Sequence, residues 1–171
     1  MEQRAEVEFY LGSEITTTDE KTGLIQPRAK VGFVADTKHG EYAGTNLGGV
    51  QFVYNEIADK NEAACFRHVA DLANDQHPVD TVKLHGVTYT HYFGGDAGLG
   101  HGADRKIYAT YREGRCVLFE ESMHSFNMDD PKALSNEKRA HLWRQLDAVM
   151  QTVRFGQEDS SSASERRIQF K

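Results

Sequence analysis

Residues 87–124 read VTYTHYFGGDAGLGHGADRKIYATYREGRCVLFEESMH, and this stretch decides the fold. Apolar and aromatic residues alternate with polar ones along most of it, which is typical of β-strands. A turn at His85-Gly86 joins it to an earlier strand, and Arg112-Glu113-Gly114 joins its last two strands. The strands predicted in this way are 79–84, 87–93, 105–111 and 115–121. They form an antiparallel meander, in which the glycine-rich residues 94–102 are predicted to be a loop.

Helical patterns lie before and after the meander. Cys65 lies on the apolar stripe of the first helix, and Asp59 with Glu62 has the spacing of a helix cap. Ser135 caps a second helix, whose broad apolar stripe consists of Leu142, Leu146, Val149, Met150 and Val153. The helices are predicted at about 60–75 and 135–151, and short strands at 29–35 and 47–55. The fold class is therefore α+β, an antiparallel β-sheet packed by two main helices, which we expect on one side of the sheet.

The chain has enough apolar residues for one domain. With 171 residues, of which 39% are hydrophobic, it can bury one core and has little room for a second. We predict an N-terminal strand and polar loop over 1–28, a single α+β domain over 29–155, and a flexible C-terminal tail over 156–171. Ile168 and Phe170 offer an alternative for the tail, an edge strand added to the domain's own sheet or to a partner.

Charge and hydropathy argue against two kinds of partner. The formal charge of −6 and the pI near 5.7 are unsuited to neutralising nucleic-acid phosphates. No apolar run approaches the roughly 18 residues of a membrane-spanning helix. The first residues lack the apolar segment of a secretory signal, so a secreted form is expected to have lost its signal peptide.

Cys65 and Cys116 are the two cysteines of the chain, and two interpretations are open. A bridge between them would close a loop of about 50 residues, which loop-closure entropy values at roughly 4 kcal/mol. Two unrelated buried thiols are the alternative, because free cysteine behaves as a small hydrophobic residue. Composition does not decide between the two.

Histidines and aspartates near the meander indicate a metal site as one alternative. Imidazole and carboxylate ligands suit zinc and similar ions. The spacings match no recognised ligand pattern, and histidines scattered through an acidic domain are usually structural. We therefore predict no cofactor, and a metal-dependent hydrolase that uses these residues is the alternative function. The residues concerned are His85, His91, His101, His124, Asp96 and Asp104.

Three other arrangements carry less weight. The glycines of 94–102 lead into a strand instead of a helix, unlike a phosphate-binding loop. Cys65 and His68 lie one helical turn apart, but an apolar environment raises the pKa of a thiol and lowers its reactivity. Ser122 and Ser125 lie near His124, and neither is part of a nucleophile-elbow motif.

Aromatic residues are frequent in the meander and support a binding hypothesis. Alternation places Tyr89, His91 and Phe93 on one face of their strand and Tyr92 on the other. We expect one face to meet the helices and the other to meet solvent or a partner. The predicted ligand-binding residues are His91, His101, Asp104, Tyr108, Tyr111 and Arg112.

Short motifs spread over residues 30–155 resemble a known group of proteins. They are Tyr42-Ala43-Gly44-Thr45-Asn46-Leu47 before a strand, Gly100-His101, Gly114-Arg115-Cys116, and a closing Leu146, Val149, Val153, Arg154 and Phe155. Together they resemble small uncharacterised secreted or periplasmic bacterial domains, which are more loosely similar to PsbP-like α+β domains. The resemblance implies that Cys65 and Cys116 are paired and that the protein works outside the cytoplasm. It implies no activity and no catalytic residue.

From these observations we expect a non-enzymatic extracytoplasmic domain, periplasmic or secreted, that binds a protein or a small ligand. Nucleic acid and a membrane span are not expected. A cytoplasmic adaptor with free thiols is a further alternative.

Overall fold

The computed structural model describes residues 29–36, 38–75, 77–98, 100–126, 132–155 and 168–169. In chain order the elements are β1 (Ala29–Val34), β2 (Leu47–Ile57), α1 (Glu62–Ala73), β3 (Asp80–Leu84), β4 (Val87–Gly98), β5 (His101–Arg112), β6 (Arg115–Phe126), α2 (Asn136–Met150), β7 (Arg154–Phe155) and β8 (Ile168–Gln169). Neither of the two described helices combines the length and the apolar character that crossing a membrane requires.

A six-stranded antiparallel sheet forms the centre of the fold, in the order β1-β2-β6-β5-β4-β3. The predicted meander is confirmed, because β3, β4, β5 and β6 are consecutive neighbours. β2 pairs along β6, with Tyr54 opposite Phe119, and β1 completes the sheet. The mixed class of helix and antiparallel strand is also confirmed, and the sheet is the larger part of the fold.

Two-residue turns with left-handed backbone close two hairpins of the meander. His85 and Gly86 have φ angles of 48° and 84°, and Glu113 and Gly114 have φ angles of 50° and 74°. Positive φ at both central positions suits the twist of antiparallel strands, so these hairpins close tightly. The connection predicted at 112–114 is one residue shorter, because Arg112 pairs with Arg115.

The prediction of a loop at 94–102 is wrong. β4 continues to Gly98 and β5 starts at His101, so the stretch is strand on both sides of a short turn. Packing explains one of the glycines in this strand, Gly94, since a Cβ atom there would lie 1.7 Å from the carbonyl oxygen of Ala73. The last turn of α1 therefore lies directly against β4, at a distance that only glycine allows.

α1 and α2 cover opposite faces of the sheet, so the prediction of both helices on one side is wrong. On β6, Leu118 lies in an apolar cluster with Val69 of α1, whereas Phe119 lies in a second cluster with Leu142 of α2. Both faces of the central strands are apolar, and each face needs its own cover. Alternation reveals which residues share a face, but it does not reveal which helix covers that face.

Polar caps set where the helices begin. Asn61 caps α1 instead of the predicted Asp59, and its side chain accepts a hydrogen bond from the backbone N–H of Ala64. Ser135 caps α2 as predicted, and it accepts a hydrogen bond from the N–H of Lys138. These bonds satisfy N–H groups that the first turn of a helix leaves without an intrahelical partner.

A disulfide joins Cys65 of α1 to Cys116 of β6, and both residues are fully buried. The interpretation of two unrelated thiols is therefore wrong, and the predicted pairing is confirmed. The loop that the bridge closes contains β3, β4 and β5. The bridge thus ties α1 to the strand at the centre of the sheet.

The two ends of the chain are described only in part. The predicted N-terminal strand and polar loop, 1–28, lie outside the described residues. Of the predicted tail, 156–171, the structure describes Ile168–Gln169, which pairs with Arg154–Phe155 in a separate two-stranded sheet. This strand pairs with β7 and not with the main sheet, so the alternative of an edge strand on the domain's own sheet or on a partner stays a prediction.

Replacing both cysteines by alanine is expected to lower the free energy of unfolding by roughly 4 kcal/mol. The reason is that the unfolded chain regains the entropy of a loop with a sequence separation of 51 residues. Urea denaturation followed by far-UV circular dichroism measures the difference from wild type. Reduced wild-type protein should unfold like the variant, and a loss below about 1 kcal/mol would contradict a stabilising bridge in the native core.

Changing Gly94 to alanine is expected to loosen the end of α1, since the new methyl group meets the carbonyl oxygen of Ala73. Such overpacking costs about 1–3 kcal/mol. Amide hydrogen exchange should become faster at Leu72 and Ala73. Gly40→Ala is the control: its positive φ of 83° makes alanine unfavourable there too, but a Cβ atom at Gly40 meets nothing within 4 Å, so α1 is not disturbed directly. Equal exchange at the end of α1 in both variants would argue against this close approach.

Candidate functional site

α2 lies over β2 and β6 with its apolar side and meets β5 with a polar edge. The buried residues of the helix are Leu142, Leu146 and Met150. Arg139, Trp143 and Asp147 follow one another at four-residue spacing, which places them along one edge. Arg139 forms an ion pair with Asp104 of β5, and both Trp143 and Asp147 contact Lys106 of β5. This edge fixes the position of the helix on the sheet.

Lys106 is the centre of these contacts. Its Nζ lies 2.5 Å from Oδ1 of Asp147 and 3.5 Å from Oε2 of Glu121. It also lies over the Trp143 ring, 4.8 Å from the centroid, in cation–π geometry. Only 17% of the Lys106 side chain is exposed, so solvent screens these interactions little. We call Lys106, Tyr108 and Glu121 the polar core.

Glu121 is a fully buried acid on the α2 side of the sheet. Neither of its carboxylate oxygens has a hydrogen-bond partner among the described residues. Burial raises the pKa of Glu121 to about 8, while the charge of Lys106 lowers it and the charge of Asp147 raises it. The residue is therefore mostly protonated near neutral pH, which avoids the cost of an uncompensated buried charge.

Tyr108 lies where several carboxylates converge. Its hydroxyl donates to Oδ1 of Asp147 at 3.5 Å. Burial raises the pKa of Tyr108 above its ordinary range, and the charges of Glu121, Asp147 and Asp80 raise it further. Acids from β6, α2 and β3 thus disfavour ionisation of this phenol.

Beyond the edge of α2, part of the same sheet face is open. His91 donates from Nδ1 to Asp80 at 3.0 Å and stacks on Tyr108, with 4.7 Å between ring centroids. The Nε2 atom of His91 is buried and has no hydrogen-bond partner among the described residues. Phe93 is 44% exposed and meets Trp143 edge-on, with 6.3 Å between ring centroids. The open face, as we name it, consists of Asp80, His91, Phe93, Trp143 and Asp147.

Two of the six predicted ligand-binding residues, His91 and Tyr108, come into contact. Asp104 lies on the same face, further along α2, in its ion pair with Arg139. Arg112 also lies on this face but at the far end of β5, where its guanidinium is 4.4 Å from the centroid of the Phe155 ring.

The remaining two, His101 and Tyr111, lie on the opposite face of β5. His101 meets Phe126 edge-on, with 5.0 Å between ring centroids. Tyr111 donates from its hydroxyl to the backbone oxygen of Asp59. Alternation along β5 separates both residues from Tyr108. The six residues therefore do not form one site, and a ligand-binding role for each stays a prediction.

The histidines of the metal hypothesis lie apart. His85 Nε2 contacts the backbone oxygen of Gln151 at 2.8 Å, at the turn between β3 and β4. Among the described side chains, the only three ligand-type residues close enough to share an ion are Asp59, Cys65 and Cys116. Those two cysteines form the disulfide and are not free to bind a metal. The side chain of Asp96 lies outside the described residues.

The two nucleophile hypotheses also meet obstacles in the structure. Cys65 has no thiol to offer beside His68, because it is bonded to Cys116. Ser122 is fully buried, and its Oγ lies 3.2 Å from Nε2 of His124. A substrate therefore has no access to this hydroxyl.

Sequence reasoning names Phe93 only within the aromatic set and misses Asp80 of the open face. It also misses four residues around α2, which are Lys106, Glu121, Trp143 and Asp147. A signal for Glu121 is present in the sequence. Val117, Phe119 and Met123 occupy the same face of β6, so an acid stands at an apolar position of a buried strand. The other three depend on how α2 docks, which no local pattern reveals.

Comparisons with known proteins provide no family. No protein-family model matches the chain, and no curated protein matches it. What the protein does therefore has to be inferred from the open face and the polar core.

Changing Glu121 to glutamine is expected to make the free energy of unfolding less sensitive to pH. In the unfolded chain Glu121 loses its proton near pH 4.5, whereas in the folded protein it keeps the proton up to about pH 8. The folded state therefore binds more protons within this window. Wild-type stability falls as the pH rises through the window, by at most about 1.4 kcal/mol per pH unit from this group.

Urea denaturation of both proteins from pH 5 to pH 8 measures the effect. The two proteins should differ least at pH 5, and E121Q should gain stability relative to wild type at each higher pH. A difference that is independent of pH would show that the fold does not hold a proton on Glu121.

Proposed function

We propose that this protein is a non-enzymatic extracytoplasmic binding domain that contacts its partner or ligand through the open face. The observation that carries the proposal is the pair of Phe93 and Trp143, which leaves aromatic surface exposed beside the carboxylates of Asp80 and Asp147. Aromatic residues within a polar rim are typical of recognition surfaces. Phe93 lies beside a second aromatic ring, so the exposed apolar surface here is larger than that of a single side chain.

The open face is ordered in advance of any ligand. The bond to Asp80 and the stack on Tyr108 fix the ring of His91. Lys106 and Phe93 hold the ring of Trp143 from two directions. Because these side chains already have fixed orientations, binding costs little conformational entropy.

The extracytoplasmic location is supported by the disulfide between Cys65 and Cys116. Such bonds persist in oxidising compartments and are rare in the reducing cytosol. The alternative of a cytoplasmic adaptor required free thiols at both positions. The resemblance to small secreted or periplasmic bacterial domains, and more loosely to PsbP-like domains, supports the same location.

A metal-dependent hydrolase has less support. No three of the described histidine and acidic side chains in 85–124 lie close enough to hold one ion. Zinc in a catalytic site needs about three protein ligands around a common point. The open face is therefore the better-supported site.

A ligand titration tests the proposal, and the chain has a built-in reporter. Trp143 is its one tryptophan, so intrinsic indole fluorescence reports directly on the open face. A panel of capped peptides with basic, acidic and neutral aromatic composition is titrated into the protein. At least one peptide is expected to change the Trp143 emission and to shift the amide NMR signals of His91 and Phe93.

Phe93→Ala is expected to weaken this binding about tenfold, which corresponds to about 1.4 kcal/mol. Val34→Ala is the matched control, because Val34 is also an exposed apolar residue but lies on β1 at the edge of the sheet. If the whole panel leaves Trp143 unchanged, or if both variants weaken binding equally, the open face is not the binding surface.

A further inference from the structure

Acidic groups dominate the part of the open face that solvent reaches. Asp80 and Asp147 have 57% and 42% of their side chains exposed. Lys106, the cation paired with Asp147, is more deeply buried. Further along α2, Asp104 and Arg139 neutralise each other. The carboxylates are therefore exposed to solvent, and the ammonium group of Lys106 is buried beneath them.

Aromatic rings lie beside these carboxylates. Phe93 is partly exposed, and Trp143 borders it. Carboxylates combined with aromatic rings hold ammonium and guanidinium groups in proteins, through ion pairing and cation–π contacts. Trp143 and Asp147 already hold one such group, the side chain of Lys106.

Glu121 retains acceptor capacity, although Lys106 and Asp147 lie near enough to shift its pKa. It is fully buried, neither oxygen has a hydrogen-bond partner among the described residues, and Oε2 lies 3.5 Å from Nζ of Lys106. Lys106 can therefore move toward Glu121 and leave Asp147 to another cation. Without Glu121, the same movement would leave a buried ammonium group without a partner, which is strongly destabilising.

We propose that the open face binds the arginine or lysine side chains of a basic segment of a partner protein at Asp80 and Asp147, while Lys106 shifts from Asp147 to Glu121. This inference rests on the proposed function and names its ligand class. The cationic group complements the exposed carboxylates, and the apolar stem of the side chain suits the ring of Phe93. β3 is the edge strand of the sheet, so a segment of polypeptide can reach Asp80 and Phe93 from that side.

The shift of Lys106 also moves a proton. The titratable groups that face Glu121 are Lys106 and Tyr108 on β5 and Asp147 on α2, and its neighbour on β2 is the apolar Phe52. Near pH 7 Glu121 is mostly protonated, because burial raises its pKa to about 8. An approaching ammonium group favours the ionised carboxylate. Glu121 therefore releases its proton to the solvent when the basic segment binds.

Three capped pentapeptides serve as probes, in which glycines separate two arginines, two glutamates or two serines. Each is titrated into wild-type protein while Trp143 fluorescence is recorded. The arginine peptide is expected to bind, with an affinity that falls as salt is added. D80N should weaken binding about three- to fivefold and D147N about tenfold. E62Q, which removes an acid in the first turn of α1, is the matched control and should leave binding unchanged.

Calorimetry of the arginine peptide in two buffers with different ionisation heats counts the protons released. Wild-type protein should release a proton on binding near pH 7, and E121Q should release none. Circular dichroism and thermal melting establish that each variant is folded. If D147N does not fold, wild-type protein is compared with D80N alone.

The possible outcomes separate this inference from the proposed function. Equal binding of the glutamate or serine peptide overturns the preference for a cation and leaves the proposed function standing. Free arginine amide that binds as tightly as the arginine peptide overturns the polypeptide segment as the ligand. Equal proton release by E121Q overturns the shift of Lys106. If none of the three peptides changes Trp143 emission, this inference fails, and the wider peptide panel decides the proposed function.

Discussion

β6 presents apolar side chains on both of its faces, and the rest of the structure depends on covering both. On one face Cys116 bonds the strand covalently to α1, and Leu118 packs in the same cluster. On the other face Phe119 and Met123 lie beneath α2. α2 covers β2 and β6, and among the described residues on that side of β3 and β4 the exposed part lies around Asp80 and Phe93, whereas Tyr89 is buried. The candidate site is thus the part of one sheet face that its helix does not reach.

The polar core lies where α2 packs on the sheet, at a kind of contact that apolar residues usually make. Leu142, Leu146 and Met150 already supply an apolar contact between α2 and the sheet. Replacing buried polar and ionic groups with apolar residues is often neutral or stabilising, so stability alone does not explain a buried lysine and a buried glutamic acid at positions 106 and 121. Lys106 contacts both Trp143 and Asp147 and so fixes their positions at the edge of the open face. A functional role for the edge of the open face would explain why Lys106 and Glu121 stand at positions where packing does not require polar residues.

Local patterns predicted the features that local geometry determines. Alternation predicted the strands of the meander and the opposite orientations of Tyr89 and Tyr92, which lie in different apolar clusters. The face that each helix covers depends on contacts between distant segments, about which alternation carries no information. The glycines of 94–102 have the composition of a loop, yet Gly94 serves the approach of α1. Lys106 and Asp147 are 41 residues apart in the sequence, and no local pattern shows that they meet. Of the six residues predicted to bind a ligand, only His91 and Tyr108 belong to the site.

Nuclear Overhauser contacts of Trp143 test most directly whether α2 and the open face share one side of the sheet. Cross-peaks are expected from the indole protons to the ring of Phe93 and to the side chain of Lys106, because all three belong to the same face. Tyr92 and Ile107 belong to the face that α1 covers. Cross-peaks from Trp143 to Tyr92 or Ile107, with none to Phe93, would contradict the arrangement on which the candidate site depends.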